Sequence, residues 1–244
     1  MKLNVFPQAL AESGQFGFFE DFLWYTTAHL FTTVASDSGT VAVGDAKGGV
    51  VVVTPSDGTV GDNDESYLKS TAELFKFVAG QAIYGEALIQ FSEANTDDAN
   101  VFFGFADNII ADALVNNGGG MKTSFSGACI YKVDGSTVWK CVTSNGSSQT
   151  ISTSLTTAGG SSYQKLRIEG RDVDGSNFEV TFFVDDQPLL DSTSAGRSST
   201  RWPSPRPRRC RWAAASRTGT RTSKPSTWTT SPPTSGVRNR PRRK

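Results

Sequence analysis

Histidine and cysteine are scarce in this chain, and each scarcity removes a class of function. The 244 residues contain one histidine, His29. It stands in the strand-like run TTAHLF with no cysteine or serine partner nearby, so no nucleophilic triad can be assembled around it. Three cysteines are too few for a disulfide scaffold. Two of them, Cys129 and Cys141, flank the hairpin CIYKVDGSTVWKC. A two-residue turn at Asp134-Gly135 sets them one register apart on opposite faces, whereas a three-residue turn opposes them directly. Buried free thiols are the expectation.

No arginine precedes Arg167. Basic charge is displaced to the end of the chain: residues 201–244 hold 13 of the 24 Lys and Arg, no acidic residue and seven of the ten prolines. Residues 1–200 carry all 24 acidic side chains, so the zero formal net charge hides a strong asymmetry. Such an asymmetry ordinarily marks a nucleic-acid or membrane tail. Long apolar runs are missing as well. Nothing approaches the ~18–20 residues that a membrane span needs. The opening MKLNVFPQAL is not followed by a secretory apolar core. A soluble protein made in a cytoplasm is expected.

The basic tail has a different explanation from nucleic-acid binding. In RTGTRTSKPSTWTTSPPT, Arg217 to Thr234, the codons can be regrouped one base earlier. Trp228 and Thr229 then yield Asp whatever else is chosen, and serines written TCN yield only Leu, Ile, Val or Phe. One consistent regrouping gives K-N-G-D-A-N-L-E-T-L-N-V-D-Y-I-A-A-Y, a loop and an alternating strand. A one-base slip near codons 192–201 accounts for this. Residues 198–244 are therefore expected to be off-frame and disordered, with the lost strand leaving an unpaired sheet edge. That strand would have buried about four apolar side chains, at ~1.5–3 kcal/mol each.

The rest of the chain is rich in short β-like runs. They are SGTVAVGD, GGVVVVTP, SYLKSTAELFKF, AIYGEALIQFSE, ANVFFGFAD, TSFSGACIYKV, STVWKCVTS, TISTSL, YQKLRIEG and NFEVTFFVDDQPLL, separated by turn signals such as PSDG, NNGGG, VDGS and DVDGS. Phe178, Val180 and Phe182 alternate onto one face, as do Val101, Phe103 and Phe105. NIIADALV, Asn108 to Val115, is the one convincing helical turn. Ten or more strands with almost no helix predict an all-β fold, a two-sheet antiparallel sandwich or barrel. Residues 1–35 form an arm and first strand, with Phe16, Phe18, Phe19, Phe22, Trp24, Tyr25 and Phe31 packing under a sheet and strand character from Leu23. Residues 36–197 form the sandwich.

DSGTVAVGDAKGGVVVVTPSDGTVGDNDESYLKSTAELFKF, EALIQFSEANTDDANVFFGFAD, SFSGACIYKVDGSTVWKC, YQKLRIEG and FEVTFFVDDQPL together resemble a family of tailed-phage and prophage proteins. That family is similar to the concanavalin A-like lectin/glucanase jelly roll. The resemblance covers roughly residues 15–191 and implies a jelly roll whose final strand returns beside the first. It implies a non-enzymatic virion protein, made in the host cytoplasm and attached to a capsid or appendage by surface complementarity. Its partners would be other virion proteins, as a homo-oligomer or capsid lattice, with no specific nucleic acid and no membrane. The alternative is a lectin-like carbohydrate-binding adhesion module.

Sites are sparse. A retaining glycosidase needs two carboxylates about 5–5.5 Å apart. In the glucanase branch they come from one strand as E-x-D-x-E, and no strand here has that pattern. EGRDVD, Glu169 to Asp174, is mis-spaced and turn-like, and Asp185-Asp186 is a turn. The acidic loops GDNDES (Gly61 to Ser66) and EANTDDAN (Glu93 to Asn100) could offer some of the six to eight oxygens calcium takes, but read better as solvated turns. NNGGG, Asn116 to Gly120, lacks a following Lys-Ser/Thr helix and is no P-loop. GDAKGG, Gly44 to Gly49, is a hairpin turn. Tyr84, Tyr131, Trp139 and Tyr163 could stack on sugars but suit cross-strand packing better. No catalytic, cofactor or metal residue is assigned, and the ligand-binding residues are left open.

Overall fold

The computed structural model describes residues 17–36, 38–56, 64–78, 80–93, 98–107, 109–116, 118–175 and 177–192 in full, and the backbone of 199–203 and 209–218. The described residues form strands and turns. In chain order the strands are β1 (Phe31–Ser36), β2 (Thr40–Val43), β3 (Val51–Thr54), β4 (Glu65–Ser70), β5 (Phe75–Lys76) and β6 (Ala82–Ile89). They continue with β7 (Ala99–Ala106), β8 (Leu114–Val115), β9 (Gly120–Met121), β10 (Ser126–Lys132), β11 (Val138–Asn145) and β12 (Gln149–Thr157). The last are β13 (Gln164–Asp172), β14 (Asn177–Val184), β15 (Gln187–Pro188), β16 (Ser199–Pro203) and β17 (Arg209–Thr218). A large sheet runs β1-β4-β17-β7-β10-β11-β12, with β5 against β17. A smaller one runs β15-β14-β13-β6, with β16 also on β14.

Alternation explains how the two layers meet. Leu166, Ile168, Phe178, Val180 and Phe182 point inward from the small sheet onto Val101, Phe103, Phe105, Ile130 and Trp139 of the large one. Burying each such side chain contributes about 1.5–3 kcal/mol. A glycine in β13 makes room for its neighbours within the small sheet: a Cβ on Gly170 would lie 2.7 Å from both the Ile83 and Phe178 side chains. The large sheet carries a second apolar cluster on its other face. There Tyr67, Phe102, Cys129, Tyr131 and Val142 are covered by Ile109, Leu114, Met121 and Phe125. This is why β7 is buried at every position and shows no polar face.

The all-β expectation holds, but the connection around Asp134-Gly135 is longer than a two-residue turn: β10 ends at Lys132, β11 begins at Val138, and Cys129 lies opposite Val142 instead of the Lys140 that a two-residue turn would set there. Within that loop Ser136 N donates to Val133 O at 3.1 Å, which closes a turn over Asp134 and Gly135. Cys129 faces Val142 and Cys141 faces Ile130, one register apart. Cys141 therefore packs between the layers and Cys129 in the second cluster, both as free thiols.

Three expectations are corrected. The expected helical turn at Asn108 to Val115 is absent over its described residues: 109–115 pass through a turn at Asp112, whose φ is 61°, and end in β8, while Asn108 lies outside the described residues. Ile109, Ala113 and Leu114 share spacing with a helix face, but they plug the outer face of the large sheet instead. Strand structure begins at Phe31 rather than Leu23. The segment from 198 was expected to lie outside the fold, yet the backbone of β16 pairs with β14 and that of β17 lies between β4 and β7. The physical reason is the slot itself. Two facing strands in mid-sheet offer rows of unpaired amide and carbonyl groups that a following chain segment satisfies. The last strand thus sits one strand away from β1 rather than directly beside it. Residues 219–244 lie outside the described residues, as do 61–63 and 94–97 of the two acidic loops.

Candidate ligand pocket

The aromatic arm divides into two sets. Phe18 and Phe22 turn inward onto Phe31, with ring centroids 5.6 Å and 5.4 Å away. Phe18 also meets Phe75, and Phe75 meets Phe105, so a chain of rings ties the arm to the core. Phe19, Leu23 and Trp24 point the other way, at 59%, 65% and 61% exposure. Packing under the sheet therefore describes Phe18, Phe22 and Phe31 but not Phe19 or Trp24, and Phe16 lies outside the described residues. The Phe19 and Trp24 rings are offered to solvent.

Between the two sets lies a shallow pocket lined by Glu20, Phe22, Trp24, Tyr25, Thr26, His29, Leu30 and Phe31. It encloses about 250 Å³, counted to its open mouth. Much of that space is open solvent, so a ligand would rest against the exposed Trp24 face and would not be enclosed. The local chain is held by short hydrogen bonds. Phe22 N donates to Glu20 Oε1 at 2.9 Å, Thr33 N donates to Thr27 Oγ1 at 3.4 Å, and the Tyr25 and Thr33 hydroxyls are 2.6 Å apart. Phe22 has a φ of 53° and Ala28 of 67°, both in the left-handed region. A bulky residue there costs about 1–3 kcal/mol and is kept where surrounding contacts over-determine it. One such contact is Gly49, at the turn between β2 and β3. Its φ is 82°, and a Cβ would lie 1.9 Å from Asp21 O.

Chemically, the pocket offers an aromatic platform, a carboxylate and an imidazole. Trp24 and His29 rings are 5.6 Å apart and inclined at 50°, forming an open corner. Glu20 spends Oε1 on the backbone, and Oε2 has no partner among the described residues. His29, around which no triad can be assembled, lines this corner. What could have found it is its spacing from Trp24 within an arm already dense in aromatics.

The other sequence candidates do structural work. Trp139 is buried in the core, where Nε1 donates to Gln164 Oε1 at 2.8 Å. Tyr131 is buried in the second cluster, and burial pushes its hydroxyl well above the usual tyrosine range. Tyr84 and Tyr163 are half-exposed. Burial of its hydroxyl end, together with the hydrogen bond to Glu86 Oε2 at 2.6 Å, pushes Tyr84 up to about 12. In the acidic loops, Glu65 is buried and accepts from Asp112 N at 2.9 and 3.0 Å and from the Tyr67 hydroxyl. Glu93 lies 3.3 Å from the buried Lys132 Nζ. Asn100 Oδ1 accepts from Asp134 N at 2.9 Å. Among the described residues no three His, Cys, Asp or Glu side chains converge on a metal position. Asp172 and Asp174 accept turn amides from Gly80, Gly175 and Asn177. Asp185 and Asp186 form the β14–β15 turn, each with positive φ. Glu169 projects from β13 beside Arg167, whose Nε is 3.0 Å away but not aimed for a hydrogen bond.

No protein-family model matches the chain, and no curated protein does. Solved structures do. The Emp46p carbohydrate recognition domain in its potassium-bound form has a TM-score of 0.53 at 15% identity, over 82% of this chain and 88% of that one. The Emp47p carbohydrate recognition domain has a TM-score of 0.50 at 12% identity, over 82% of this chain and 84% of that one. At such identities the likeness shows the fold, a lectin-like jelly roll.

Proposed function

We propose that this chain is a non-enzymatic carbohydrate-binding module that takes a single sugar ring in the Trp24 pocket. The observation that carries it is the exposed Trp24 face set against His29, with an unspent Glu20 oxygen in the same pocket. A sugar has an apolar face of C–H groups and a rim of hydroxyls. The first stacks on an indole. The second donates to a carboxylate, and a hydrogen bond to a charged acceptor contributes about 1.5–3 kcal/mol. The lectin-like fold supports the reading, because the Emp46p and Emp47p domains that share it are named for carbohydrate recognition. Those likenesses lend no support to a virion role. A virion location concerns where such a module would be mounted, and co-purification with particles tests it separately.

The experiment is a glycan array probed with the whole chain, repeated with Trp24→Ala and Glu20→Gln. The expected result is binding to a defined set of sugars that drops at least tenfold in each variant. Binding that survives both substitutions, or no binding to any glycan, sinks the proposal.

A further inference from the structure

The two sheets have four edges, and the chain covers or blunts three of them. Along β1 lies the arm, with Tyr25 and Thr27 bonded to Thr33. Along β12 lies the segment after β15: Leu155 N donates to Leu190 O at 3.3 Å and Ser192 N to Thr153 O at 2.8 Å. The far edge of the small sheet ends in β15 and β16, and β15 is only two residues long and contains Pro188. The fourth edge is β6. It is eight residues long, pairs with β13 without a register shift, and has no strand on its other side among the described residues. Its sequence, AIYGEALI, contains no proline or lysine and only one charge, Glu86. Natural edge strands are protected by shortness, proline, lysine, a bulge or a covering segment, and among the described residues β6 has none of these.

We propose that β6 is a self-association edge, pairing antiparallel with β6 of a second copy of this chain so that the two small sheets become continuous. The strand's own face points to a second copy. Ala82, Tyr84, Glu86 and Leu88 all lie on the outer face. A two-fold axis at Glu86 would set the two carboxylates opposite each other, which is destabilising. A two-fold axis at Gly85 instead sets Tyr84 of each copy opposite Glu86 of the other, and Ala82 opposite Leu88. The hydroxyl–carboxylate pair that Tyr84 and Glu86 make within one strand is thereby offered across the edge as well. The same axis covers Leu88, which is 65% exposed in the single chain. Such a contact is isologous and closes as a dimer rather than growing into a filament.

The test is the solution mass of the whole chain by light scattering. Twice the monomer mass is expected for the unaltered protein. Ala82→Lys with Leu88→Lys places lysines opposite lysines in this register, and Ala82→Glu with Leu88→Glu does the same with carboxylates. Both positions are exposed, so each double variant should keep its far-UV circular dichroism while its mass falls by half. An equimolar mixture of the two should return to twice the monomer mass. A monomeric unaltered protein, dimers that survive both double variants, or a mixture that stays monomeric would each overturn the proposal.

Discussion

Gly85 faces the ring of Phe105 across the two layers, and a Cβ on Gly85 would lie 2.6 Å from Phe105 Cζ and 2.8 Å from Cε2. The ring has no room to retreat, because Phe75 and Phe77 also pack against it at 5.2 and 6.1 Å. Gly85→Ala is therefore expected to overpack the interlayer core and cost about 1–3 kcal/mol. Denaturant unfolding measures this. Combining it with Phe105→Leu should cost less than the two single losses added together, since the smaller side chain vacates the contact.

The divided arm predicts a divided response to truncation. Phe31 is buried under Phe18 and Phe22, so Phe31→Ala should cost about 3–5 kcal/mol. Trp24 faces solvent, so Trp24→Ala should change stability by no more than about 0.5 kcal/mol while abolishing sugar binding. Thermal melts of the two variants beside glycan binding separate the roles. A large stability loss in Trp24→Ala would make that residue a packing element.

What the sequence discloses depends on how many partners a residue needs. β13 and β14 are legible, because one face meets the core and the other meets water, and the residues alternate accordingly. β7 is legible as a strand but not as a doubly covered one, since nothing in ANVFFGFA says what lies over Phe102. That cover comes from Ile109, Ala113 and Leu114, whose helix-like spacing belongs to a turn broken at Asp112. The buried Glu65 is illegible for the same reason: its donor, Asp112 N, is 47 residues along the chain. The Trp24 pocket is half-legible. Composition marks the arm as aromatic, but the turn at Phe22 that sends alternate rings in opposite directions is a matter of backbone conformation.

Two tyrosines should make stability fall at alkaline pH. Burial, and for Tyr84 also the bond to Glu86, hold their protons above the ordinary value of about 10. The folded state thus keeps protons that the unfolded chain releases, and the slope of stability with pH is negative in that window. Stability should be unaffected by these groups below about pH 10 and fall from there through about pH 12, where Tyr84 ionises in the folded protein. Tyr84→Phe should remove part of that decline and Tyr131→Phe more of it, because Tyr131 is the more deeply buried. Unfolding midpoints measured across this pH range check both. A flat profile in the unaltered protein would contradict the assignment.

The slot between β4 and β7 is the most consequential feature of the large sheet. Arg209–Thr218 pairs with β4 over five positions on one side and with β7 over eight on the other. Without it two strand edges open in mid-sheet, and the core loses its continuity between β1-β4 and β7-β10. Deleting 209–218 should therefore abolish a cooperative thermal transition, whereas ending the chain after Thr218 should preserve one. The whole chain tests which segment belongs in the slot. If β17 holds it as written, the 244-residue protein melts cooperatively. If the melt is broad and the protein aggregates, the regrouped segment containing L-N-V-D-Y becomes the better occupant. Its supply in place of Arg217 to Thr234 should then restore a sharp transition.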